Sequence, residues 1–291
     1  MKVRMYNVGF GDCFCLRDRK KSLLVDFGTN NSRIEGRPRK EIFDVIISDL
    51  STIKSKNLLL THFHMDHLSG LLYMMKKKDI SVDFGKIYLP DVFSKKEMSR
   101  TLVLLLLADL LKESGLPSRQ VSLFALVDAL LENKQNVELL SRGKLFENKY
   151  QALWPDTDVI RKETDEVYKR ICEDGKFKEV MDVLLEFAEK LRLIVWSMTA
   201  EGNKPAETVE KETDLTASEL TEQPEVRQKI IRAYVYEREF RRIKALPDFK
   251  KLLAWLNENQ INLRQFKHKI RMNFSCLNLR RPLRPRKKSL Q

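Results

Sequence analysis

The stretch Leu58-Leu59-Leu60-Thr61-His62-Phe63-His64-Met65-Asp66-His67-Leu68-Ser69-Gly70 decides the fold. Leu58 to Leu60 is too short for a helix and fits a buried strand. Loops at strand ends are where α/β proteins place chemistry. Three of the chain's four histidines fall in this one loop, with a carboxylate between them. Packing does not explain that density, although a histidine-rich surface loop without a ligand would. Alternation puts His62 and His64 on one side to grip one ion, while Asp66 and His67 turn away and serve a second. Imidazole and carboxylate suit zinc, at roughly 2.0–2.2 Å per bond; iron and manganese accept the same ligands.

Working back from this loop, Lys40 to Leu50 carries Ile42, Val45, Ile46 and Leu50 at helical spacing. Ser22-Leu23-Leu24-Val25 and Cys13-Phe14-Cys15-Leu16 are short apolar runs. Val3, Met5 and Val8 alternate like a strand, and Gly9-Phe10-Gly11-Asp12 supplies turn chemistry. Forward of the loop, Lys86-Ile87-Tyr88-Leu89 reads as a strand stopped by Pro90. Residues 1–94 are therefore expected to form an α/β unit.

Beyond residue 95 the period changes. Residues 97–113, 118–133, 164–174 and 177–196 place apolar side chains three and four apart, as in Val180, Leu184, Phe187 and Leu191. Such stripes face a core. Residues 199–225 are acidic, polar and poor in aromatics, which predicts a flexible linker. Helices are predicted over 226–244 and 248–258. The first interleaves Arg and Lys with Tyr234, Tyr236 and Phe240, which would suit stacking on a nucleic acid strand or a solvated helix with one packing face. Residues 269–279 read as a final strand and 280–291 as a basic tail, solvated like most blocks of like charge.

The net charge of +13 favours polyanionic partners such as nucleic acid, or an anionic membrane surface. No apolar run approaches the roughly 18 residues of a membrane span, and the start carries no signal-peptide pattern. Cys13, Cys15, Cys172 and Cys276 have no disulfide-framework or zinc-ribbon spacing. A cytoplasmic location is expected.

His62-Phe63-His64-Met65-Asp66-His67 resembles the HxHxDH signature of the metallo-β-lactamase superfamily. Asn7-Val8-Gly9-Phe10-Gly11-Asp12-Cys13 is similar to the "DVGQGDS" hairpin of the soluble domain of ComEC-type competence proteins, and Leu24-Val25-Asp26-Phe27-Gly28 to the family's Asp-x-Gly turn. Ala152-Leu153-Trp154-Pro155 and Asn273-Phe274-Ser275 resemble later family segments. The resemblance implies an αββα sandwich holding one or two metals, with 95–268 as a mostly helical insertion. It also implies hydrolysis of an ester or phosphodiester by a metal-bound hydroxide. Carried over, His62 and His64 bind the first metal, Asp66 and His67 the second, and Asp66 acts as the catalytic carboxylate. Asp26 either orients a ligand histidine or caps the turn at Gly28.

The sequence departs from the family after this point. No histidine lies between His67 and His268, and His268 reads as structural. Asp156 is the candidate to replace the absent third ligand of the first metal. No Gly-Asp pair follows Asn273-Phe274-Ser275, so the second half of the sandwich is expected to be missing, through truncation or because a partner chain completes the fold. The expected function is a metal-dependent hydrolase of phosphodiesters or nucleic-acid-like substrates, inactive if this chain alone lacks ligands. The alternatives are a non-catalytic binding or regulatory protein that uses its helical insertion on a partner, and a nucleic-acid binder working through the basic helix and tail.

Overall fold

The computed structural model describes residues 1–18, 21–77, 84–110, 122–133, 135–173, 175–200, 202, 242–259, 261, 263 and 270–276. The linker over 199–225 and the helix over 226–244 lie outside these residues except for positions 199, 200, 202 and 242–244. His268 and the tail 280–291 lie outside them altogether.

The N-terminal alternation becomes a meander: β1 (Lys2–Met5), β2 (Phe14–Asp18) and β3 (Lys21–Val25) pair antiparallel, with Met5 opposite Phe14 and Phe14 opposite Val25. A short hairpin, β4 (Arg33–Ile34) and β5 (Arg37–Pro38), leads into α1 (Arg39–Ser51). β6 (Lys56–Leu59) then adds parallel to β3, and α2 (Met65–Lys76) carries the chain back to β7 (Ile87–Pro90). Helices α3 (Ser99–Leu110) and α4 (Ser122–Glu132) precede β8 (Val137–Leu140), which is parallel to β7. The result is a six-stranded mixed sheet, β1-β2-β3-β6-β7-β8. Parallel neighbours need helical crossovers, and here the crossovers supply the covering layer.

After β8 come β9 (Leu145–Phe146) and β10 (Tyr150–Trp154), then α5 (Thr157–Cys172), α6 (Lys178–Ser197), α7 (Pro247–Glu258) and β11 (Asn273–Cys276). A second sheet has the order β11-β10-β9. Three strands thus fall inside the span expected to be a mostly helical insertion, and all three belong to the sheets. The apolar run Val137-Glu138-Leu139-Leu140 carries too little alternation to announce itself among helical neighbours.

Successive residues of a strand face opposite ways. Leu24 and Leu58 join Cys15, Ile87 and Leu89 in the large core under the helices, where α6 buries Val180, Leu184, Phe187 and Leu191. Leu23, Val25, Leu59 and Tyr88 instead meet Phe146, Tyr150, Ala152 and Met272 between the two sheets. The Tyr88 and Phe146 ring centroids lie 5.1 Å apart. Tyr88 donates to Glu147, and burial followed by that bond pushes its phenol well up. The smaller sheet does not reach the far edge: Val3 and Met5 on β1 are 60% and 72% exposed.

One buried cation ties the helices to the sheet. Arg192 on α6 donates to the carbonyl of Phe93 (3.1 Å), just past β7, and to both carboxylate oxygens of Glu189. Burial alone would raise the Glu189 carboxyl. Hydrogen bonds from Arg192 and Ser99 outweigh it and hold the group below its ordinary range. An unpaired buried guanidinium would be costly, and this pairing removes that cost.

Candidate metal centre

Strand β6 delivers Leu60 and Thr61 to the sheet's C-terminal edge, and the chain turns into α2 with His64 at the N-cap. Entry into the helix changes the expected geometry. Strand alternation would send His67 away from His62. Instead the first helical turn brings it back, so the His62 and His67 rings are 3.8 Å apart and the His62 and His64 rings 4.6 Å. The His62 ring thus lies beside both other imidazoles. His62 and His67 are buried. Asp66, in the first turn where the helix dipole favours an acid, places Oδ2 3.6 Å from His67 Nε2.

Asp26 organises this group from beneath. Its Oδ1 accepts from the Thr61 backbone N–H (2.7 Å) and its Oδ2 from the Thr61 hydroxyl (2.7 Å). His67 Nδ1 lies 2.9 Å from the same Oδ2, so Nδ1 is the protonated nitrogen and Nε2 carries the lone pair. Because the Thr61 hydroxyl gives its proton to Asp26, it accepts from His62 Nδ1 at 2.9 Å, which also sets the lone pair of His62 on Nε2. One carboxylate therefore fixes two tautomers, the usual office of a group behind a metal ligand. Asp26 adopts φ 55°, a left-handed conformation that costs an ordinary L-residue about 1–2 kcal/mol. Asp tolerates this region better than most residues.

The glycines of the two N-terminal motifs explain how these pieces fit. A Cβ on Gly28 would sit 2.7 Å from the backbone of Asp66 and His67, and one on Gly11 would sit 2.2 Å from the Gly28 carbonyl oxygen. The hairpin and the Asp-x-Gly turn can close on the histidine loop only because neither residue has a side chain.

That closure brings in a residue the sequence reading left out. Asp12 Oδ2 lies 3.7 Å from His67 Nδ1, and ligand atoms of Asp12, Asp26 and His67 fall within 4.8 Å of one another, a group able to hold a cation. An ion there would have to displace the 2.9 Å contact between His67 and Asp26. On the Nε2 side, beside Asp66, it would leave that contact intact. Asp12 stands in the quoted Gly-Phe-Gly-Asp hairpin, which was the available signal. Cys13, next in sequence, is buried, and burial, then Cys15, Asp26 and Asp12, push its thiol well up.

Asp156 is employed elsewhere. It is the N-cap of α5, its Oδ1 accepting from the N–H groups of Asp158 and Val159 (both 3.2 Å), and it pairs with Arg142. The Val159 bond first, then Arg142, lower its carboxyl. Met272 reaches the site from the far end of the chain, its backbone N–H donating to the Thr61 carbonyl at 2.6 Å. A cavity of about 290 Å³ opens there, lined by Asp12, Asp26, Thr61, Phe14, Arg271 and Met272 among others.

Residues 6–90 match the family model described as the metallo-beta-lactamase superfamily, a span that holds Asp12, Asp26 and the whole histidine loop. The chain is also similar to endoribonuclease YSH1 of Mycosarcoma maydis, with 32% identity over 77 residues; the match covers 26% of this chain and 8% of that protein. No solved structure gives a significant match. Among the described residues, no helix is long and apolar enough to cross a membrane.

Proposed function

We propose that this chain is a metal-dependent hydrolase acting on a phosphodiester or nucleic-acid-like substrate. The convergence of three imidazoles and Asp66 at the end of β6, with Asp26 setting the tautomers, carries the reading. These nitrogen and carboxylate donors fit zinc, with manganese and iron as its competitors. His62, His64, Asp66 and His67 would hold the cation, which when bound supplies the positive charge that acidifies water and polarises a phosphoryl oxygen. Thr61 and Asp26 keep the donor nitrogens aimed. Asp66, less buried than His62 and His67, would also hold a proton of the attacking water or leaving group. The superfamily match over residues 6–90 and the similarity to an endoribonuclease support a hydrolase that acts on nucleic acid, as does the net charge of +13.

The test is metal content and turnover together. The purified chain is expected to retain zinc through dialysis and to hydrolyse bis(p-nitrophenyl) phosphate, whereas the double variant His62→Ala, His67→Ala should lose both. A folded wild-type chain with no affinity for zinc, manganese or iron would refute the proposal.

A further inference from the structure

Arg271 lines the cavity together with Asp12, Asp26 and Thr61, and its contact with Asp12 holds it there loosely. Its guanidinium lies 3.6 Å from Asp12 Oδ2, too long for a hydrogen bond, and its side chain is 50% exposed. Ion pairs this exposed to water contribute little, so the contact places the guanidinium without consuming its donors. The backbone behind it is fixed, because Met272 is bonded to Thr61 and buried between the sheets. The cavity joins two kinds of wall: Asp12, Asp26, Thr61 and Arg271 at the site, and apolar Phe14, Leu16, Val25 and Met272 alongside. Ligand pockets run from roughly 300 to 1,000 Å³, and this one, at about 290 Å³, is the size for one small group.

We propose that Arg271 is a substrate-docking residue that binds the phosphoryl oxygens of a phosphoester, with the apolar wall taking the adjoining sugar or base of a single nucleotide unit. Guanidinium presents a planar fork that matches two phosphate oxygens. The carboxylates lining the cavity would repel an anion unless positive charge faced them. Arg271 supplies that charge at the cavity wall, and a cation on the histidines that Asp26 and Thr61 bond would add to it. The inference rests on the hydrolase reading but can be separated from it.

The experiment compares wild-type chain, Arg271→Ala and Arg271→Lys after zinc loading, titrating inorganic phosphate by calorimetry and measuring turnover of bis(p-nitrophenyl) phosphate. Removing a hydrogen-bonded charge partner should weaken phosphate binding and raise KM by about tenfold or more, while kcat and zinc stoichiometry stay within about twofold. Arg271→Lys should recover part of the loss, as a point charge without the fork does. Equal phosphate affinity in wild type and Arg271→Ala, with zinc bound in both, would overturn the docking role. So would a parallel loss of zinc, which would make Arg271 structural. If the wild-type chain binds no divalent cation, the hydrolase reading fails and the phosphate titration alone decides. Arg271-dependent binding would then keep the docking role, and its absence would remove it.

Discussion

The two faces of the six-stranded sheet are built from the same strands and covered very differently. Leu58 and Leu59 are neighbours in β6, and both are fully buried, yet they belong to separate cores. On Leu58's side the helices cover the sheet as far as Cys15 on β2, which has no exposure. On Leu59's side the smaller sheet covers β3, β6 and β7, leaves Phe14 and Leu16 half-buried, and leaves Val3 and Met5 exposed. The helical face supplies stability. The thinly covered face leaves room for a cavity, and Asp26 and Thr61, which bond the imidazoles of His67 and His62, form part of its wall.

That contrast can be broken in several places. Leu58→Ala should cost about 2–5 kcal/mol in denaturant unfolding, as truncations in closed cores do; a cost under 1 kcal/mol would mean the helical layer packs far more loosely than described. Asp26→Asn keeps a residue that tolerates the left-handed backbone but removes the acceptor charge behind His67 and Thr61. It should lower zinc affinity by about 10- to 100-fold in competition with a chelator, with little change in melting temperature. Unchanged affinity would show that Asp26 serves the turn at Gly28 and not the histidines. At the thin edge, Val3→Ala should shift stability by no more than about 0.5 kcal/mol. A larger loss would reveal that β1 is covered in solution.

How much of this the sequence disclosed depended on distance along the chain. The histidine loop, the strand before it and the helix α1 were legible, because each is a contiguous pattern with one period. The long apolar stripe of α6 was legible for the same reason. Asp156 shows the limit: an aspartate after proline looks the same in one dimension whether it ligates an ion or caps a helix, and only the bonds to Asp158 and Val159 reveal the cap. The same cap starts α5 at Thr157, ahead of the apolar spacing that marks this helix in the sequence. A strand's period carried past Met65, where α2 begins, sends His67 away from His62, whereas the helical turn brings the two together. Asp12 and Arg271 come to the site from opposite ends of the chain. No local periodicity encodes such an approach.

The bond from Met272 to Thr61 gives the molecule an order of assembly. Every side chain proposed above as a cation ligand has been synthesised by residue 67, but Met272, which completes the cavity wall, arrives some two hundred residues later. Chains fold from the N-terminus as they emerge. A nascent polypeptide of this sequence therefore carries the ligands of the proposed metal centre long before the wall that would select what meets it has been made.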